Sequence, residues 1–550
     1  MYSAYELALA GGGGIPVPIT EDSPLRQGRY PHRGAPGVYG YDVDMDACEK
    51  LDVEPPSRPH RLRPRPRPAQ GHRRHHRRGV LSATTLRRVA RTNEWRALDK
   101  RQRHVLMCTL TVNMLLFFDQ TSVAVALSAL QREFGASATR LQWTITAYLL
   151  ALSVLMVAAG RLADRFGRRR MLLAGLAVFG LASAACAAAP GLDFLIGARF
   201  AQGVGGAIMQ PLALAATSRD VGARHRGWAV GLLSTGGTTF LTAGPLISGA
   251  LLEVASWRWL FVMNLPVVVF AFHQGRRWLL PSREPDPRPV EAGALVLLSS
   301  GLATLVVGVA QFTDWGWAAL VPVLAGVLLL GLLVRYELRS PHPLVPVALM
   351  VRNRALVASL VALFAIQFAV LGNAVYLVLF LQHGLGESAF TAGLVLALAG
   401  IFTPLLSLTT GTLTDRHGPW KLVVGGLVLA TAGLCWLGML APRAGLLALV
   451  PGLLAFSLSR PAVFTPASTG AFTTTPVERR GLASGLVTEA RQLGGLFGVA
   501  VCGAVFIAVH GTDLTEPARL AGGFEAAMLL ASAVTAVAAL AVTAVLRKGR

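Results

Sequence analysis

From residue 104 to 546 the chain is a succession of apolar runs separated by short polar turns. Many runs reach 18 residues or more, long enough for a helix to cross a hydrocarbon core of roughly 30 Å. This pattern predicts about fourteen membrane spans, near 104–127, 141–160, 171–190, 192–216, 227–251, 259–279, 292–312, 317–335, 356–382, 391–413, 420–440, 444–468, 481–510 and 522–546. Composition agrees: 15% of residues are charged, against about 25% in a soluble domain, and mean hydropathy is +0.52. Lipid must solvate most of such a chain. The first apolar run begins far from Met1 and lacks a small-residue cleavage site, so no cleavable signal peptide is expected.

The net charge of +22 resembles a nucleic-acid signature until it is mapped onto the loops. The arginines then gather on one set of short loops and at the C-terminus, at Arg168-Arg169-Arg170, Arg224, Arg226, Arg276-Arg277, Arg352, Arg354, Arg479-Arg480 and Arg547-Lys548-Gly549-Arg550. Positive loops stay inside, so both termini are expected in the cytoplasm, in keeping with an even number of spans. Residues 1–103 differ in kind. The Gly11–Gly14 run, the Arg-Pro alternation of Arg61–Pro68 and the His-Arg stretch Gly71–Arg78 cannot bury enough apolar surface to fold. We read residues 1–103 as a disordered, basic, cytoplasmic tail without a specific nucleic-acid ligand, or in part a product of a start codon placed upstream of Val80 or Leu81. Cys108, Cys186, Cys435 and Cys502 are scattered through the spans and form neither a disulfide framework nor a metal site.

One short charged loop occurs twice. Gly160-Arg161-Leu162-Ala163-Asp164-Arg165-Phe166-Gly167-Arg168 lies between the second and third spans, and Gly411-Thr412-Leu413-Thr414-Asp415-Arg416-His417-Gly418 stands in the corresponding place about 250 residues later. A loop motif repeated in both halves of a membrane protein is the mark of internal duplication. The chemistry is that of a conformational latch: Asp164 can pair with a cation or face a helix N-terminus, and Arg165, Arg168 and Arg416 offer bidentate partners. Gly160 is expected to end its span and let the chain approach a neighbouring helix. On the fifth span Gly237, Gly244 and Ser248 fall within about 20° of one another. They make a small-residue face beside Pro245 and Gly249.

Ionisable groups inside the membrane are the site candidates, because charge there is costly without a role or partner. Asp119 is the acid of the first span, and a carboxyl group in a poorly hydrated cavity can exchange protons near neutral pH. Arg199 shares a helix face with Gln202, Gly203 and Gln210, and the resulting polar stripe is expected to face a cavity. Its guanidinium stays charged, so it would bias a nearby acid; the alternative is an arginine that binds carbonyls and fixes the fourth span. Glu489 and Arg491 on the thirteenth span point about 200° apart. Glu489 is the second candidate for protonation or substrate contact, and Arg491 continues into the packing face of Gly494, Gly495 and Gly498.

Taken in order, these motifs resemble the major facilitator superfamily, and its fourteen-span drug:proton antiporter family in particular. The resemblance rests on Phe118-Asp119-Gln120-Thr121, Leu141-Gln142-Trp143, the loop at 160–170, Arg199 through Gly205, Gly244-Pro245-Leu246-Ile247-Ser248-Gly249, Trp257-Arg258-Trp259 through Pro266, and Arg491-Gln492-Leu493-Gly494-Gly495. Two departures stand out: Ser248 where the family has glycine, and Arg460 in a span that is glycine-rich in the family. The resemblance implies an all-α integral membrane protein with two pseudo-symmetric six-helix bundles, at 104–280 and 341–550, and two additional helices at 281–340. It further implies a proton-driven exporter of amphipathic small molecules in the bacterial plasma membrane. Such a protein would be monomeric, would use no cofactor and would be no enzyme; a dedicated exporter of one endogenous metabolite or lipid-like compound is the alternative. Arg460, with Arg199 and Arg491, makes the interior less acidic than a pump of hydrophobic dications requires. Walker, H-E-x-x-H and G-x-S-x-G patterns are absent from the sequence.

Overall fold

A computed structural model describes residues 92–222, 225–282, 291–340, 350, 353–440, 445–476, 480–511 and 517–547. Among them every regular element is helical. The six longer helices of the first half are α1 (Lys100–Phe134), α2 (Ala138–Phe166), α3 (Arg168–Ala187), α4 (Leu192–Asp220), α5 (Arg226–Val254) and α6 (Asn264–Trp278). Then come the pair α7 (Ala292–Ala310) and α8 (Leu320–Glu337). The second half holds α9 (Arg354–Leu379), α10 (Ala389–Leu398), α11 (Phe402–His417), α12 (Pro419–Met439), α13 (Leu446–Thr473), α14 (Arg480–His510) and α15 (Pro517–Arg547).

Twelve described helices are long and apolar enough to cross a membrane, with α10 and the start of α11 forming one of them. The two expected spans outside that set are α4 and α6. α4 is long but carries Asp193, Arg199, Gln202, Gln210, Arg219 and Asp220, which lower its hydropathy, and α6 has only 15 residues. Both are nevertheless packed within the first bundle.

The duplication read from the loops is visible in the packing. In the first half α1 lies on α5 and α6, α2 on α4, and α3 on α4 and α6; in the second, α9 lies on α14 and α15, α11 on α13, and α12 on α13 and α15. α7 and α8 pack as a hairpin whose first helix touches α2 and α14. Thr139 and Trp143 of α2 donate to Asp314 and Gln311 at the tip of that hairpin, at 3.4 and 3.1 Å.

Helical structure reaches back further than the composition of the tail predicts. Thr92–Ala97 is a short helix, and α1 starts at Lys100 behind a capping box. Gln102 N donates to Asp99 Oδ1 at 2.7 Å and Asp99 N donates to Gln102 Oε1 at 3.0 Å, satisfying two helix-end donors. Leu98, Leu106, Val221 and Ala229 bury one another beside Trp95 and Trp228. That apolar cluster supplies what the basic segment ahead of it lacks. The remainder of the expected tail, residues 1–91, lies outside the described residues, as do Arg224, Arg352, Arg479 and the terminal 548–550.

Candidate functional site

Asp119 sits a little past the middle of α1, buried among helices of its own bundle. Arg199 Nη1 donates to Asp119 Oδ2 at 2.6 Å, and both side chains are 1% exposed. The other carboxylate oxygen accepts from Gln202 Nε2 at 3.0 Å and Asn264 Nδ2 at 3.3 Å. Arg199 in turn donates to Gln202 Oε1 at 2.6 Å and through Nε to the Thr144 carbonyl at 3.0 Å, while Gln202 Nε2 also reaches Ser183 Oγ at 2.9 Å. The Tyr148 ring covers the guanidinium, 4.3 Å from centroid to Cζ. Three helices besides α1, namely α2, α4 and α6, therefore converge on one carboxylate or on its arginine, and α3 joins them through Gln202. A single Arg199 side chain thus contacts both a backbone carbonyl, that of Thr144, and an acid, Asp119.

The expected cavity-facing stripe on α4 is divided. Arg199, Gln202 and Gly203 face inward to their own bundle, where a Cβ on Gly203 would collide with the Tyr148 carbonyl. Asp119, Arg199 and Gln202 are thus placed off the seam between the bundles, because α2, α3 and α6 close over them. Gln210, two turns further along, does reach the seam. Gln492 Nε2 of α14 donates to Gln210 Oε1 at 2.9 Å, and Gln120 Nε2 of α1 donates to Gln492 Oε1 at 3.4 Å. The three glutamines join the bundles at mid-depth. The sequence quoted Gln120 and Gln492 only as motif residues; nothing in their spacing shows that they meet.

Hydrogen bonds across the seam gather toward the end away from the Asp164 loop. Gln142 Nε2 donates to the Val499 carbonyl at 3.2 Å, Gln382 Nε2 to the Val125 carbonyl at 3.2 Å and Phe390 N to Glu253 Oε1 at 3.1 Å. α5 contributes two glycine surfaces to this arrangement. Gly237 and Gly244 lie against Asn113, Phe117 and Thr121 of α1, with a Cβ on Gly244 only 2.8 Å from Thr121 Oγ1. Gly249 abuts the Ala389 carbonyl, and Gly393 of α10 abuts the Pro245 carbonyl, so the motif helix meets the second bundle backbone to backbone. Ser248, the departure from the family pattern, is fully buried, and its Oγ has no hydrogen-bond partner among the described residues.

At the loop end the duplicated motif adopts duplicated geometry. Gly167 and Gly418 have φ of +99° and +77°, and each backbone N–H donates at 2.9 Å to a carbonyl four residues back, Ala163 or Thr414. Left-handed backbone favours glycine there, and the next helix starts at once. Arg168 pairs with Asp164 at 3.0 Å, both about one-third exposed, and Arg168 N donates to the Ser282 carbonyl at 3.1 Å. Arg165 stacks on its neighbour Phe166, and Arg169 donates to the Arg276 carbonyl. The described contacts of the first loop thus run to the end of its own bundle. In the second copy Asp415 and Arg416 are exposed and make no ion pair among the described residues. Gly160 corrects an expectation: it does not end α2, which continues to Phe166, and a Cβ there would meet nothing within 4 Å. Buried Ala163 carries the apolar face of α2 past it.

Glu489 faces away from Arg491 as the helical wheel requires. Both of its carboxylate oxygens are buried without a hydrogen-bond partner among the described residues. Arg491 lies over the Phe464 ring at 4.7 Å and the Phe117 ring at 5.8 Å, and Arg460 Nη1 donates to the Ala399 carbonyl at 3.1 Å.

The Major Facilitator Superfamily profile matches residues 109–499, from α1 into α14. The chain belongs to this superfamily. Among relatives of this facilitator-superfamily protein, the puromycin resistance protein pur8 of Streptomyces alboniger is 34% identical over 467 residues, covering 82% of this chain and 91% of its own. A multidrug resistance protein B homolog of Mycobacterium tuberculosis is 30% identical over 402 residues, covering 72% of this chain and 74% of its own. The fold is shared with a bacterial homolog of the human lysosomal transporter Spinster, solved in an inward-facing and unoccupied conformation. That match has a TM-score of 0.59 at 17% identity, over 82% of this chain and 98% of the other. This facilitator-superfamily protein is accordingly a multi-pass membrane transporter of small molecules and not an enzyme.

Proposed function

We propose that the chain exports drugs, antibiotics or similar amphipathic molecules across the bacterial plasma membrane in exchange for protons, with both termini in the cytoplasm and the monomer as the working unit. The 34% identity to a puromycin resistance protein and the 30% identity to a multidrug resistance protein support the export of drug-like cargo. The observation that carries proton coupling is the Asp119–Arg199 pair. An acid held out of water by an arginine, two amides and an aromatic lid is a device with two states. Ionised, it binds Arg199 and draws α1, α4 and α6 together; protonated, it releases the guanidinium and loosens their packing. Because the pair lies within the first bundle, cargo at the seam and the proton at Asp119 would compete through the shape of that bundle, not by direct contact. Such indirect linkage still obliges exchange.

The seam contacts away from the Asp164 loop support a resting form closed at that end and able to open at the loop end. In the opposite form the loop of Asp164 and Arg168 would latch the bundles at the loop end. Glu489 would serve as a second proton-binding group. No cofactor is needed, since the proton gradient supplies the energy. The test is uptake of a chemically varied panel into inverted vesicles with and without a pH gradient. Wild type should move amphipathic compounds uphill only with the gradient, and Asp119→Asn should abolish that. Gradient-independent accumulation, or normal uphill transport by Asp119→Asn, overturns the assignment. Deleting residues 1–79 should leave transport intact; loss would favour a receptor or regulator that acts through its tail.

A further inference from the structure

Two arginines of the second bundle stand where the bundles meet, and among the described residues no carboxylate pairs with either. Arg460 is 4% exposed; its Nη1 holds the Ala399 carbonyl at the break between α10 and α11, and its Nε has no partner among the described residues. Arg491 is partly exposed, its Nε is buried without a partner among the described residues, and its guanidinium lies over Phe464 of α13 and Phe117 of α1. Phe464 is one helical turn beyond Arg460 on the same face. Arg460 and Arg491 thus stand beside the same ring, Arg460 one turn away on its helix and Arg491 at 4.7 Å from the Phe464 centroid. Arg199 by contrast has its own carboxylate, Asp119. Glu489 is only two residues from Arg491 but is turned about 200° away, and its oxygens reach no donor among the described residues.

Two like charges beside one ring, one buried and the other partly so, and lacking an acid, are costly to hold. A site that retains them gains most from a ligand that brings the missing negative charge. The flanking rings come one from each bundle, so a flat apolar body between them would touch both halves of the moving seam. We propose that Arg491, backed by the field of Arg460, is a subsite for anionic cargo: an amphipathic aromatic acid with its carboxylate, phenolate or sulfonate on the Arg491 guanidinium and its rings along Phe117 and Phe464. This names the substrate class for the exporter reading above and rests on it.

Equilibrium binding to the full chain in lipid nanodiscs tests it, with empty discs as background and two dyes that share one skeleton. These are 8-anilinonaphthalene-1-sulfonate, which carries the anion, and N-phenyl-1-naphthylamine, which does not. Wild type should bind the sulfonate more tightly by about tenfold or more, the worth of a hydrogen bond to a charged group. Arg491→Gln should erase the preference while leaving the neutral dye unchanged, Arg491→Lys should keep most of it, and Arg460→Gln should reduce it. A wild type that holds the sulfonate no better than the neutral dye, including one that binds neither, overturns the proposal without recourse to any variant. Equal weakening of both dyes by Arg491→Gln also overturns it. No gradient is present in this assay. Selective binding without proton-driven efflux would therefore sink the exporter reading alone, whereas proton-driven efflux without anion selectivity would sink only the subsite.

Discussion

Arg199 and Asp119 meet at 2.6 Å inside a bundle that exposes 1% of either side chain. The pair is held from four helices, with α3 behind Gln202, so its energy depends on every neighbour. Removing one partner of a buried ion pair costs about 3–5 kcal/mol, because the other charge is left unpaired. Asp119→Asn keeps the size and the contacts with amides but strands the Arg199 charge. We expect a clear fall in melting temperature, loss of uphill efflux and retention of downhill movement. The double variant Asp119→Asn with Arg199→Gln should regain stability without regaining coupling. Thermal unfolding in detergent, read beside vesicle transport, checks both parts.

The backbone contact of Gly249 with Ala389, and of Gly393 with Pro245, leaves no room for a side chain. Gly249→Val should therefore force α5 and α10 apart at the end away from the loop and prevent that end from closing. We expect stable protein with transport reduced by about tenfold or more, a barrier change of about 1.4 kcal/mol. A cysteine pair at positions 128 and 383, whose native side chains meet across the seam at 3.3 Å, should make the converse point. A short bis-methanethiosulfonate cross-linker would lock the seam and stop transport, and reductant would restore it. Transport that continues after confirmed cross-linking would show that the seam need not open.

How much of this was legible beforehand follows from the range of each signal. Hydropathy and the repeated Asp164 and Asp415 loops are local and regular, so the all-helical membrane fold and its duplication could be read directly. Asp119 and Arg199 were recognisable as charges in apolar runs. Their pairing across 80 positions was not, since no periodicity links separate helices. Ser183 and Thr144, which complete the network, are neutral and unremarkable in sequence. The cavity-facing stripe on α4 failed because a helical wheel gives relative angles without saying which face meets the seam. Gly160 misled for a related reason: glycine allows close approach but does not require it. The helix ahead of α1 was hidden by the basic composition around it, although the Asp99 to Gln102 capping box was there to be read.

The half-exposed ion pair of Asp164 and Arg168 should add little to stability. Pairs one turn apart on a helix surface contribute about 0.3–0.5 kcal/mol. Asp164→Asn is therefore expected to leave the melting temperature almost unchanged. If the loop latches the bundles in the opposite conformation, the same change should slow transport several-fold by depopulating that form. Accessibility of a cysteine at exposed position 415 to a charged maleimide, compared between wild type and Asp164→Asn, reports the shift. An unchanged melting temperature with unchanged transport would leave the loop with an orienting role only.

Glu489 supplies the opposite case to Asp119: its carboxylate oxygens are buried and bonded to nothing among the described residues. A buried acid without a partner adds no favourable interaction, and its amide isostere can never carry the charge that apolar surroundings penalise. Glu489→Gln should therefore unfold at the same temperature as wild type or higher, in contrast to Asp119→Asn. Retention of so unfavourable a group points to a use in the cycle, so the stabilised variant should transport more slowly and respond less to an imposed pH gradient. Melting temperature and gradient-dependent efflux measured on the same preparation separate the two effects. A variant that is destabilised by several degrees would mean that Glu489 has a structural partner after all, and one that transports normally would remove it from the proton pathway.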